Sequence, residues 1–465
     1  MWAACDNQGG CSMGILANEN LLFGHCAHPV KCGLGMTIGG GEVYPEVNYT
    51  LPPMRVDKDT FSEVRAEFAK MVESILFRAG ELRVPGLVLE FEQPFDLTMN
   101  PDWGASVTGD TKTSLKKFHE RHGIPCALRV TVADIRDKTR PPRMRTGSEM
   151  KIMEESFLRC AKEGADILSI ESTGGKEITD EALTEGDLRG HLFGMLVLGG
   201  ADMGFLWERI TAIANKTGTV SGGDSACGFG NTAMRLADIN YVPRVLAAVI
   251  LAASAARSLV AFEKGAVGPS KDCAYEGAYL KALLGIPIAM EGKSAACAHF
   301  SHIGNVAQAF CDLWSNESVQ NVRLLSGFAP EVFTEVLAYD CRLMNAALRA
   351  GKVPAESLRD LLEVSDSGLD PQAFVLSRGP VIAIAKALTE GKTPYTRGVL
   401  AARVAADMIS DAASAGNLKV ADREKEWLER IRRELNALPK TDEAFIAEAL
   451  PEYRDRFIPA EYGLI

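Results

Sequence analysis

Three residues able to hold a soft metal ion stand where apolar runs give way to Gly-rich or polar turns. They are Glu171 in Ile-Leu-Ser-Ile-Glu-Ser-Thr-Gly-Gly, Cys227 in Ser-Gly-Gly-Asp-Ser-Ala-Cys-Gly, and Cys273 in Gly-Pro-Ser-Lys-Asp-Cys-Ala-Tyr-Glu. One oxygen and two sulfurs without a fourth ligand make the donor set of an open zinc site, whose remaining position takes a substrate oxygen. Glu171 lies 56 residues before Cys227, and Cys227 lies 46 residues before Cys273. Such spacing is no local zinc signature. Only a fold that gathers distant strand ends can assemble it, and a parallel barrel does so. The competing reading is that buried cysteines pack as small hydrophobes.

Two local clusters compete for metal: Cys297-Ala-His299-Phe-Ser-His302, and His25-Cys26-Ala-His28 with Cys32. Neither has a ligand pair at finger spacing with a second pair downstream, and hydrogen-bonded histidines beside packed cysteines are the favoured reading of both. Gly39-Gly40-Gly41 and Gly228-Phe-Gly230 lack the residues that complete a phosphate loop, and no Gly-x-Ser-x-Gly elbow is present. Asp224, Asp272, Glu90 and Glu263 are candidate proton donors or partners of the metal ligands, with structural ion pairing as the alternative for each.

The elements that must position these groups alternate between strand and helix. Phe61 to Ala79 reads as a helix, and strands follow at Val84 to Glu90, Pro125 to Val132 and Asp166 to Ile170. Glu149 to Glu163 and Asp202 to Lys216 are helical, and Thr219 to Ser221 leads into the turn carrying Cys227. The apolar run Val245 to Ala256 reads as a buried helix, with a short strand expected from Arg257 to Glu263 and another from Ile286 to Glu291. In parallel folds the carboxyl ends of strands form the active face, and Glu90, Glu171, Glu263 and Glu291 fall at such expected ends. Six strands are counted, with a further candidate at Val322 to Leu325. The repetition fits a barrel or a doubly wound sheet. The organisation expected is a covering segment over 1–60, a catalytic barrel over 61–330 and a helical accessory region over 331–465.

Composition narrows the partners. The chain of 465 residues is 47% hydrophobic and 24% charged, enough for a large core. Its net charge of −11 disfavours nucleic acid and anionic lipid. The 245–256 run is shorter than the ~20 residues of a membrane span, and the start Met1-Trp-Ala-Ala-Cys lacks the pattern of a secretory signal. Eleven scattered cysteines point to reduced thiols. The expected location is cytoplasmic.

The longer runs carry a resemblance. His28-Pro-Val-Lys-Cys-Gly-Leu, Asn100-Pro-Asp-Trp-Gly, Glu171-Ser-Thr-Gly-Gly-Lys-Glu, Gly223-Asp-Ser-Ala-Cys, Gly265-Ala-Val-Gly-Pro-Ser-Lys-Asp-Cys, Met290-Glu-Gly-Lys and Trp314-Ser-Asn-Glu-Ser resemble the zinc subunit of the methanol:corrinoid methyltransferases, from about residue 23 onward. The resemblance implies an α/β fold of the TIM-type (β/α)8 class with an N-terminal covering segment and added C-terminal helices. It implies a homodimer, and a partner subunit carrying the corrinoid. It assigns Zn(2+) to Glu171, Cys227 and Cys273, and the activity to methyl transfer from methanol to the partner's Co(I) corrinoid. Ser-Ala-Cys-Gly-Phe-Gly around Cys227 is less polar than the family's run. A methoxylated or other methylated donor therefore stays open, as does a docking subunit with little activity. A barrel lyase or aldolase would need a Schiff-base lysine or phosphate loop, and neither is identified.

Overall fold

In the computed structural model, which describes residues 16–298, 301–325 and 327–464 but not the side chains of 297 and 298, the strands are read most directly from the parity of their residues. Side chains alternate across a strand. Leu87, Leu89 and Phe91 point out into the main apolar core, and Val88 points into the barrel interior. The same parity holds for Leu128, Val130 and Val132 against Ala127, and for Leu168 and Ile170 against Ile167.

The strands are β1 (His25–Cys32), β2 (Met36–Gly40), β3 (Tyr44–Thr50), β4 (Leu87–Glu92), β5 (Cys126–Val132), β6 (Ile167–Ile170), β7 (Val220–Asp224), β8 (Ala289–Glu291) and β9 (Leu313–Val319). The last seven form one curled parallel sheet in the order β7-β6-β5-β4-β3-β9-β8. Between β7 and β8 in the ring runs segment 266–270, which is not a regular strand. Val267 N donates to Ser221 O at 2.9 Å, Ser270 N donates to Pro287 O at 3.2 Å, and Ser270 bridges to Ile288 in parallel sense. These bonds bring the eighth position into the barrel. The segment leads directly to Cys273.

The interior is layered. Tyr44, Val88, Ala127, Ile167, Ala289 and Leu313 form an apolar floor, plugged by Met36 and Ile38 of β2. One pleat further along the same strands, the inward positions become Glu46, Glu90, Arg129 and Ser169, all buried. The next inward residue after Ser169 is Glu171, so strand parity alone aims it at the mouth.

Four expectations are corrected. The covering segment 1–60 holds β3, which lies near the middle of the sheet, while the β1–β2 hairpin closes the floor. The expected strand Arg257 to Glu263 is the last two turns of a helix, Arg244–Glu263, all of it buried except its end residues. That helix is long and apolar enough to cross a membrane, and it is enclosed by the protein. The strand expected at Val322 to Leu325 is a two-residue hairpin, and the true strand is Leu313–Val319. Helix Ala329–Ala350, placed in the accessory region, packs on β3, β9 and the first barrel helix Phe61–Leu82, completing the outer ring. The later helices add a layer, of which Pro394–Ser414 lies along Arg244–Glu263.

Candidate metal centre

Glu171, Cys227 and Cys273 come together at the carboxyl ends of the strands, each offering a donor atom within 4.8 Å of the others. Glu171 follows β6, Cys227 opens a short wide-turn helix Cys227–Asn231 after β7, and Cys273 follows segment 266–270. The Cys273 thiol donates to Glu171 Oε1 at 3.0 Å and approaches Ser225 Oγ at 3.6 Å, while Asn231 Nδ2 lies 3.7 Å from Cys227 Sγ. At these separations the three groups interact strongly. Their mutual hydrogen bond pulls Cys227 down, but burial and the Glu171 carboxylate win and leave it raised to about 11. Cys273 is pushed well above the ordinary thiol range by its hydrogen bond to Cys227, then by burial. Two facing thiols and a carboxylate at this spacing match the donor chemistry of a thiolate-binding metal, which would displace the thiol protons. Among the described residues no other set of three such donors converges.

The competing clusters fare differently. His25, Cys26, His28 and Cys32 are strung along β1, with Cys26 packed against Gly39. Cys297 and His299 lie outside the described side chains.

Lys271 carries no distinguishing signal in the sequence and is the main cation of the site. Its buried Nζ lies 2.9 Å from Glu90 Oε1, 2.9 Å from Asp272 Oδ1 and 3.4 Å from Glu171 Oε1. Burial opposes its charge, but Asp272, Glu90, Glu171 and Glu92 together hold its pKa well above the usual range. One ammonium cannot neutralise so many carboxylates. Burial pushes Glu90 up to about 8 despite Lys271, and Thr131 donates to its Oε1 at 2.6 Å. Asp272 is also pushed up by burial, yet Lys271 and Ser315 hold it below its usual range. In the sequence it is only a lysine two residues before a candidate ligand. Its partners come from other strands, so only the fold reveals them.

Asp224 serves the loops and not the cleft. Its oxygens accept from Ser172 N at 3.2 Å, Ser172 Oγ at 2.6 Å, Ser225 N at 2.7 Å and Trp207 Nε1 at 3.3 Å. A carboxylate offers about four acceptor positions, so protein donors fill it. Glu263 is corrected outright: it ends a helix and pairs with Arg397 of the C-terminal layer, away from the mouth.

Beside the trio opens a cleft of about 410 Å³, lined by Glu171, Ser172, Lys176, Cys227, Asn231 and Arg235 among others.

A family model described as methanol-cobalamin methyltransferase B subunit matches residues 11–463. A methanol–corrinoid protein co-methyltransferase of Methanosarcina barkeri (strain Fusaro / DSM 804) is 38% identical over 460 residues, covering 97% of this chain and 98% of that one. A chain in the crystal structure of the methanol:cobalamin methyltransferase complex from Methanosarcina barkeri superposes with a TM-score of 0.92 at 37% identity, over 97% of this chain and 99% of that one.

Proposed function

This chain belongs to the methanol-cobalamin methyltransferase B subunit family, and on that premise we propose that it moves the methyl group of methanol to the Co(I) corrinoid of a partner protein, with zinc held by Glu171, Cys227 and Cys273. The observation that carries the reading is the convergence of one carboxylate and two thiols at the barrel mouth beside an open cleft. Zinc held there would supply a Lewis-acid contact for the alcohol oxygen, which leaves as hydroxide or, once protonated, as water when the methyl group passes to cobalt.

The chain's own groups set the conditions. Two thiolates and a carboxylate carry three negative charges, so the site favours a neutral alcohol over an alkoxide whose C–O bond would be harder to break. Lys271 keeps a fixed positive charge beside Glu171 and restrains one of its oxygens. Asp272 offsets the charge of Lys271, and the apolar floor below closes the barrel to water from the far end. A separate subunit brings the corrinoid to the cleft in this reading, which the similarity to a chain of the methanol:cobalamin methyltransferase complex supports. A homodimer in the cytoplasm, docking one corrinoid subunit over each mouth, completes the proposal.

The protein purified alone is expected to show no corrinoid absorption in the visible. With Co(I) cobalamin or a corrinoid protein it is expected to form methyl-Co(III) in proportion to methanol, and far more slowly from methoxyaromatics. A stoichiometric corrinoid band in the isolated protein, or preference for the methoxyaromatic donor, contradicts this assignment.

A further inference from the structure

The helix Arg244–Glu263 is apolar along nearly its whole length, yet at one turn it carries two adjacent polar residues, Arg257 and Ser258, both wholly buried. A guanidinium in such surroundings is costly unless it is bonded, and here the two terminal nitrogens find acceptors while Nε has none among the described residues. Arg257 Nη2 donates to Ser172 O at 2.9 Å and to Ser172 Oγ at 2.5 Å, and Nη1 donates to Ser225 O at 3.3 Å. Asp224 lies 3.8 Å from the guanidinium and binds the same two serines, while the Phe229 ring sits 4.4 Å beneath it. Ser172 is the residue after Glu171, Ser225 stands two before Cys227, and Phe229 two after.

The third loop is tied in by the neighbouring residue. Ser258 Oγ donates to Glu276 Oε1 at 2.8 Å, and the same oxygen accepts from Ala226 N at 2.7 Å. Glu276 is three residues after Cys273 and Ala226 is one before Cys227. One helical turn therefore bonds, directly or through one carboxylate, to the backbone or side chain beside each of the three donors. None of these contacts involves the donor atoms themselves.

We propose that Arg257 and Ser258 are positioning residues, a template on the buried helix that sets the spacing of Glu171, Cys227 and Cys273 for metal. The proposal rests on the metal-site reading above. Stability alone does not require an arginine here, since a buried ion pair exchanged for apolar packing is often neutral. The use of a planar fork to hold two carbonyls and a hydroxyl on separate loops explains why arginine fits the position better than lysine.

The test compares wild type with Arg257→Met, Arg257→Lys and Ser258→Ala. Zinc affinity is measured by chelator competition, the visible spectrum is recorded after Co(II) replaces zinc, and urea unfolding is followed on metal-free protein. Zinc affinity is expected to fall about 10-fold in Arg257→Met, the lower end of the range for losing a direct partner of a metal ligand, because Arg257 holds the backbone beside the ligands and not the ligands themselves. Arg257→Lys should recover only part of it, and the cobalt bands should shift in both. Ser258→Ala, which removes one hydroxyl and keeps the helix, should weaken zinc and move the bands to a smaller extent. A role in folding alone would lower unfolding stability and leave the bands in place. Wild-type affinity and bands in folded Arg257→Met, or in Ser258→Ala should the methionine variant not fold, would overturn the proposal. Absence of sulfur-to-cobalt absorption in wild type would instead overturn the metal site on which it rests.

Discussion

Cys273→Ala, and separately Cys227→Ala, should yield folded protein that keeps less than stoichiometric zinc and loses methyl transfer by more than ~100-fold, beyond what removal of an outer partner of a metal ligand brings. The two thiols face each other and Glu171 with every donor inside 4.8 Å. Deleting one leaves two ligands, too few for an open site that needs three protein donors and a substrate. Cys32→Ala is the matched control, since Cys32 lies on β1 with the floor hairpin and should retain full zinc and rate. Metal analysis on dialysed protein reads the outcome. Stoichiometric zinc in both single variants would remove the trio as the ligand set.

The second large effect is on stability. Arg129→Met should destabilise the fold by about 3–5 kcal/mol, the usual cost of removing one partner from a buried ion pair. Arg129 is wholly buried, with Nε 2.7 Å from Glu46 Oε1, and its Nη1 donates to Ser169 Oγ at 2.9 Å and to Pro269 O at 3.0 Å. The last bond matters most to the site, because Pro269 belongs to the irregular eighth segment that leads to Cys273. The variant should therefore lose zinc affinity as well as stability. Adding Glu46→Leu should recover much of the stability, since the uncompensated carboxylate goes too, but not the zinc, since the Pro269 anchor stays absent. Urea unfolding of the three proteins checks this. A neutral single change would show that the pair does not hold the interior together.

The parts of this architecture legible in the sequence were those where outward parity is uniformly apolar. Leu87 to Phe91 and Cys126 to Val132 declare themselves as buried strands, and Glu171 follows its strand without a break. β3 was hidden because Pro45, Glu46 and Asn48 interrupt its apolar positions, and its charged residue finds Arg129 only once the barrel forms. Arg257 to Glu263 misled for the opposite reason. A helix buried on every side has no polar face, so its end lacks the period that separates helix from strand. The eighth position was unreadable because segment 266–270 holds its place by a few bonds to neighbours instead of a strand pattern. In the site, the three donors were visible by residue type and placement. Lys271 and Arg257 were not, since each owes its role to partners drawn from other strands and loops.

If metal held by Glu171, Cys227 and Cys273 activates methanol, methyl transfer must follow zinc occupancy. Metal-free protein titrated with zinc, with methanol-dependent methylation of Co(I) cobalamin followed at each addition, tests it most directly. The rate is expected to rise from near zero in proportion to bound zinc and to level off at one zinc per chain. Methylation that is full without zinc, or that stays absent when one zinc per chain is bound, would contradict it.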